Sequence, residues 1–156
     1  MTTAVISVTD TRTSESDTGG ALVVSLLEKA GHAVASREIV PDEPERIEAA
    51  LGAALSEPAT RAVILTGGTG VAPRDVTPDS VEPLLERELP GFGELFRWLS
   101  YQEIGSAALL SRALAGMAEG RVVFVLPGSR AAVRLAMEKL ILPELGHLVA
   151  EAVKTG

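Results

Sequence analysis

The chain has no cysteine. That excludes a disulfide framework, a thiolate nucleophile and any cysteine-based zinc or iron–sulfur site. It has two histidines, His32 and His147, with no HExxH and no clustered pair, so no zinc signature is present. No G-x-S-x-G elbow supports a serine hydrolase. Basic residues are outnumbered, 14 Lys and Arg against 21 Asp and Glu, for a formal charge of −7. A surface of that sign argues against nucleic acid or an anionic membrane as a partner. No apolar run is long enough to span a bilayer. The opening MTTAVISVTD lacks a basic n-region, and its apolar run is short for a signal peptide. The expectation is a soluble cytoplasmic protein. Aromatics make up 3% of the chain, and Phe92, Phe96, Trp98 and Tyr101 fall within one ten-residue window.

What is present is enough for a core: 156 residues, 46% hydrophobic and 22% charged, with no repeat, linker or low-complexity tract. One domain over 1–156 is expected. Strands are predicted at 3–9, 33–40, 61–66 and 121–126, from short runs containing β-branched residues. Helices are predicted at 18–30, 42–56, 77–87, 92–104 and 106–116, and from 129 onward. Asp17 is a cap with Gly31 as a stop, Asp42 and Glu45 form an acidic capping box, and Thr77-Pro78 reads as N-cap and first turn. Pro143 should kink or break the last helix. Phe92, Phe96 and Leu99 share one helical face, with Trp98 and Tyr101 on another. Either the helix is wholly internal or one face meets a second subunit. Strands alternating with helices imply an α/β fold with a mostly parallel sheet covered on both sides, and ligands gather at the carboxyl ends of such strands.

Four loops leave those ends. Thr66-Gly67-Gly68-Thr69-Gly70 combines three glycines, which let N–H groups turn toward an anion, with two hydroxyls. A phosphate cradle and a tight strand-to-helix turn both fit; a Walker A loop and a dinucleotide fingerprint do not. Arg74 and Asp75 follow. They read either as a phosphate-neutralising arginine with a Mg²⁺-holding carboxylate, or as a turn in which the two pair with each other. Asp42, after the second strand, is either a helix cap or a carboxylate facing the same crevice. Pro127-Gly128-Ser129 is an anion-binding helix start or a plain cap. Ser111 and Arg112 suit a phosphate contact or a surface helix end.

Taken in order, TGGTG, PRDVTP, GFGELFRWLSYQEIG, LSRALAG and LPGS resemble the molybdopterin-binding MoaB/MogA family over nearly the whole chain. The aromatic segment is similar to the B-type branch rather than the adenylyltransferase branch. The resemblance implies a three-layer α/β/α sandwich with a mostly parallel central sheet, assembled as a homotrimer or hexamer. In adenylyltransferase members, AMP passes from MgATP to the terminal phosphate of molybdopterin. The aspartates associated with catalysis there match Asp42 and Asp75, which would also hold the Mg²⁺. Thr66, Gly67, Gly68, Thr69 and Gly70 would line the ligand site, with Arg74, Ser111, Pro127, Gly128, Ser129 and Asp17 bordering it. Helix N-termini after Gly70 and Ser129, with Arg74 and Arg112, would neutralise the two anions. A non-catalytic oligomeric pterin-binding protein is the alternative.

Overall fold

The computed structural model describes residues 1–155. Its elements in chain order are β1 (Thr2–Val8), α1 (Thr18–Lys29), β2 (Ala33–Val40), α2 (Pro44–Ser56), β3 (Ala62–Thr66), α3 (Thr77–Val81), β4 (Arg87–Glu88), α4 (Pro90–Ile104), β5 (Leu114–Ala118), β6 (Arg121–Leu126), α5 (Arg130–Ala136) and α6 (Leu142–Ala152). The strands form a six-stranded sheet in the order β2-β1-β3-β6-β5-β4. The first four are mutually parallel, while β5 and β4 close the edge antiparallel.

The period of two along each central strand divides the core. Val5, Ile64 and Phe124 face one layer with Leu22, Leu27, Phe96 and Leu145 from α1, α4 and α6. Ile6, Leu65 and Val125 face the other with Ile47, Leu51 and Val81 from α2 and α3. Strands buried on both sides need helices on both sides, so the expected three-layer α/β/α sandwich is the fold observed. Register sets the level of the strand ends. Val8 lies beside Val40, Ser7 beside Thr66, and Thr66 beside Leu126. Four loops therefore leave one edge of the sheet at one height. Because β1 connects outward to β2 while β3 lies on its other side, a topological switch point opens between β1 and β3.

Several expected elements differ. The helix after Thr77 stops at Val81 and passes through a 3-10 turn at Glu82–Leu84. Pro83 has no N–H to donate and its ring crowds the carbonyl one turn back. Over 106–116 the chain forms a 3-10 turn, Gly105–Leu110, and then β5. The strand is recruited by a hairpin in which Ala118 pairs with Arg121 across Glu119 and Gly120, both at positive φ (50° and 73°). That is the geometry a two-residue hairpin requires. Thr77 is not a cap: Val76 holds that position without a side-chain bond. Asp42 is not a cap either. Glu43 occupies the N-cap of α2, again without a side-chain bond, so the capping box does not form. Before Pro143 the last helix widens instead of breaking. Residues Met137–Ile141 form a π turn in which the Leu142 N–H reaches back to the Met137 carbonyl. On α4, Phe92 and Phe96 are buried, while Trp98 and Tyr101 are 59% and 61% exposed. The helix is therefore not wholly internal to this chain. Among the described residues no helix is long and apolar enough to cross a membrane.

Candidate functional site

A cleft of about 360 Å³ lies over the β1/β3 switch point. Glycines bring its walls together. Gly67 (φ +96°) passes so close to Val8 that a Cβ there would strike the Val8 carbonyl oxygen. Gly68 (φ +68°) crosses Thr77, and a Cβ there would stand 3.0 Å from Asp42 Oδ1. Gly19, at the start of α1, meets the Gly128 carbonyl, and Gly128 in turn lies against Gly67. All four loops therefore converge, held at separations only glycine permits. The Gly67 N–H is tied to the Leu126 carbonyl at 2.8 Å, which joins the loop after β3 to the end of β6.

Of the residues singled out from sequence, Asp17, Asp42, Thr66, Gly67, Gly68, Arg74, Asp75, Gly128 and Ser129 line this cleft. Thr69, Gly70, Ser111 and Pro127 are not among its lining residues. Thr69 is buried, and Ser111 opens onto a separate hollow with Leu109 and Leu114. No helix starts at Gly70, since the chain runs through turns to α3 and α3 is only five residues long. Arg112 is not among the cleft's lining residues and is engaged elsewhere. Its Nε donates to the Gly70 carbonyl at 2.9 Å, its Nη2 to the Asp75 carbonyl at 2.6 Å, and its Nη1 pairs with Asp79 at 3.0 Å. It clamps the 70–75 loop from behind. The Ser129 hydroxyl caps α5 through the Ala132 N–H at 3.2 Å. Asp17 caps α1, accepts from the Ser7 hydroxyl and pairs with Arg37 at 3.2 Å. At 4% exposure it is a supporting group under the cleft floor.

The ionisable groups at the rim form one set. Asp42 and Asp75 arrive from two different strand ends. A Cβ on Gly70 would lie 2.7 Å from Asp75 Oδ2, so both carboxylates border the glycine loop. Arg74 does not pair with its neighbour Asp75. Its Nη2 pairs with Asp10 at 2.6 Å, and Asp75 accepts from the Ala72 N–H at 3.2 Å. The other oxygen of Asp10 accepts the Asp42 N–H at 2.8 Å. Asp10 is accordingly held below the ordinary carboxylate range, by that backbone N–H first and then by Arg74. Asp42 is pushed up, first by burial and then by the charge of Asp10, against the opposing pull of Arg74. Arg12 lines the cleft and makes no ion pair among the described residues.

Sequence reasoning missed Ser7, Asp10 and Arg12. A serine within the apolar run Ala4–Val8 of a buried strand was one available signal. Asp10 had only its place, two residues past the end of β1.

An open α/β sheet with a glycine-walled, carboxylate-rimmed cleft at its switch point defines the class: a doubly wound α/β domain whose candidate site lies at the carboxyl ends of its strands. Residues 4–147 match the family model described as "Probable molybdopterin binding domain". The chain belongs to this molybdopterin-binding MoaB/MogA family. It is similar to molybdenum cofactor biosynthesis protein B of Bacillus subtilis, 54% identical over 96% of this chain and 89% of the relative. Among solved structures, a molybdenum cofactor biosynthesis protein B superposes with a TM-score of 0.94 at 51% identity, over 97% of this chain and 94% of the other. The tungsten cofactor synthesizing protein MoaB from Pyrococcus furiosus gives 0.89 at 37% identity, over 98% and 97%.

Proposed function

We propose that this protein acts in cytoplasmic molybdenum cofactor biosynthesis, binding molybdopterin and MgATP in the β1/β3 cleft and transferring AMP to the terminal phosphate of molybdopterin. Its place in that pathway rests on family membership and on the names of its relatives. The observation that carries the chemistry is the convergence of Asp42 and Asp75, from separate strand ends, on the glycine loop.

In the reaction a terminal phosphate oxygen of molybdopterin attacks the α-phosphorus of ATP. The bond from that phosphorus to the α–β bridging oxygen breaks, and its electron pair leaves on pyrophosphate. The attacking phosphate has its second pKa near ~6, so it is already deprotonated at neutral pH. No general base is needed, and the aspartates are better employed as cation ligands than as proton acceptors. Mg²⁺ takes one or two carboxylates and completes its shell with water and substrate phosphates. Asp42 and Asp75 fit that donor set, and among the described residues no group of three or more acidic or histidine side chains is arranged to cage a metal alone. When bound, Mg²⁺ neutralises charge building on the leaving pyrophosphate. Gly67 and Gly68 admit the phosphates close to the backbone, and Arg12 and Arg74 flank them. Catalysis of this kind is positioning and electrostatics, not covalent chemistry.

The exposed apolar residues of α4 and the 3-10 turn after it, Leu95, Trp98, Tyr101, Ile104, Leu109 and Leu110, form the face we assign to a homotrimer or hexamer.

The second reading is an oligomeric pterin-binding protein without turnover. It is favoured by the engagement of Arg74 with Asp10 and of Arg112 with backbone carbonyls, which leaves Arg12 as the unpaired arginine of the cleft. Incubation of the protein with molybdopterin and MgATP separates the two. A transferase releases pyrophosphate in step with adenylylated product, whereas a binder retains pterin and releases none.

A further inference from the structure

Asp10 links two of the converging loops through two different oxygens. Its Oδ1 accepts the N–H of Asp42 at 2.8 Å, and its Oδ2 accepts Nη2 of Arg74 at 2.6 Å. The loops so joined carry both carboxylates, Asp42 and Asp75, and one of the two cleft arginines on which the transferase reading depends. An ionised carboxylate accepts at both oxygens, whereas an amide offers one acceptor and turns donors toward the second partner. Arg74 engages Asp10 through one nitrogen, so most of its five N–H donors are left for another anion. Both side chains are solvent-accessible, 37% for Asp10 and 62% for Arg74. Such a pair adds little to stability. Its consequence is geometric: it sets where Asp42 and Arg74 stand.

We propose that Asp10 is a positioning residue for AMP transfer, its Oδ1 holding the Asp42 loop so that the carboxylate faces Gly68 and its Oδ2 holding Arg74 over the cleft for the nucleotide phosphates. This rests on the transferase reading above. It goes beyond that reading in giving a residue that touches neither reacting atom control over both the acid and the arginine.

The two oxygens can be tested apart in the full-length protein with Asp10→Asn, Asp10→Ala, Arg74→Ala and the double variant Asp10→Asn/Arg74→Ala. Urea unfolding first confirms that each is folded. In Asp10→Asn the amide oxygen still accepts the Asp42 N–H, so kcat stays within about 3-fold of wild type, while KM and Kd for MgATP rise roughly 3- to 10-fold, as in Arg74→Ala. The double variant is no worse than Arg74→Ala alone, because both changes remove one interaction. Asp10→Ala loses both contacts and lowers kcat by a further factor of about 10. A merely structural role moves the urea midpoint and leaves these splits flat. The proposal is overturned by an unchanged Kd in Asp10→Asn, by multiplicative losses in the double variant, or by Asp10→Ala matching Asp10→Asn in kcat. If the wild type binds MgATP without releasing pyrophosphate, the transferase reading fails and the kcat half of the proposal falls with it. The calorimetric Kd then still decides the role at Arg74. If the wild type does not bind MgATP, both are overturned.

Discussion

Nη2 of Arg112 donates to the carbonyl oxygen of Asp75 at 2.6 Å. With the bond from Nε to the Gly70 carbonyl, one guanidinium spans both ends of the loop that presents Asp75. Charge-assisted bonds to backbone carbonyls are stronger than neutral ones, and removing the donor leaves two acceptors to water. Arg112→Ala should lower stability by about 1–2 kcal/mol in urea titration and lower kcat as the loop loosens. Arg112→Lys should restore under half of either, because an ammonium cannot reproduce the planar fork. Equal recovery by lysine would show that charge alone matters there.

Asp42→Asn combined with Asp75→Asn should reduce pyrophosphate release by roughly 100-fold or more while circular dichroism stays unchanged. Each amide keeps its size and loses the negative charge that holds the cation. A double variant that turns over at near the wild-type rate would remove both residues from the chemistry.

Asp42 also makes stability depend on pH in a direction opposite to most aspartates. Its carboxyl is raised in the folded state, by burial first and then by Asp10. The fold therefore favours the protonated acid. That contribution is complete below the unfolded value near ~3.9 and is lost as pH rises through the folded value. At pH 7 the ionised group opposes folding. Asp42→Asn should raise Tm at pH 7 by on the order of 2 °C, and the difference should shrink to nothing below about pH 4. Calorimetric scans at both pH values check this. A Tm gain that persists at low pH would need another cause.

Two glycines give an internal control on the crossing of the loops. Gly31 has φ +86° and open space around it, so Gly31→Ala should cost about 1–2 kcal/mol from backbone strain alone. Gly67 has φ +96° and the Val8 carbonyl in the way. Gly67→Ala should therefore cost at least about 2 kcal/mol more than Gly31→Ala and abolish ligand binding. Equal costs would mean that the loop can move off β1.

Trp98→Glu and Leu109→Glu, at positions 59% and 82% exposed on this chain, should dissociate the proposed oligomer without unfolding the subunit. Sedimentation velocity reads the change in mass. Wild type that sediments as a monomer at micromolar concentration would leave that face unassigned.

Much of the framework was legible because three of the four parallel strands, β1, β3 and β6, are buried on both faces. Runs such as Ala62–Thr66 fit little other than a buried strand. The glycine loop was legible for a related reason: three glycines in five residues after a strand imply close backbone approach. What failed was local competition. Thr77 and Asp42 carry cap chemistry, yet in the fold Asp42 is drawn to the cleft by the Asp10 contact, and the Thr77 hydroxyl is buried behind Gly68 without a partner among the described residues. The short strand β5 has no signal of its own, since Leu114–Ala118 is a strand by virtue of its hairpin with β6. The pairing of Arg74 with Asp10, 64 positions away, instead of with adjacent Asp75, is a tertiary fact that spacing does not encode.

The wide turn at Met137–Ile141 means that this stretch holds one residue more than a regular α-helix would over the same rise. Deleting one of those five would let the segment wind as a regular α-helix over the same rise and leave the downstream phase unchanged, whereas winding all five regularly would rotate everything downstream by about 100°. Only in that second case would Leu145, now against the sheet, swing toward water and the charged flank of α6 turn inward. The C-terminal helix thus keeps its phase because the wide turn absorbs a surplus residue, and removing one residue inside the turn should harm the protein less than removing one between the turn and Leu145.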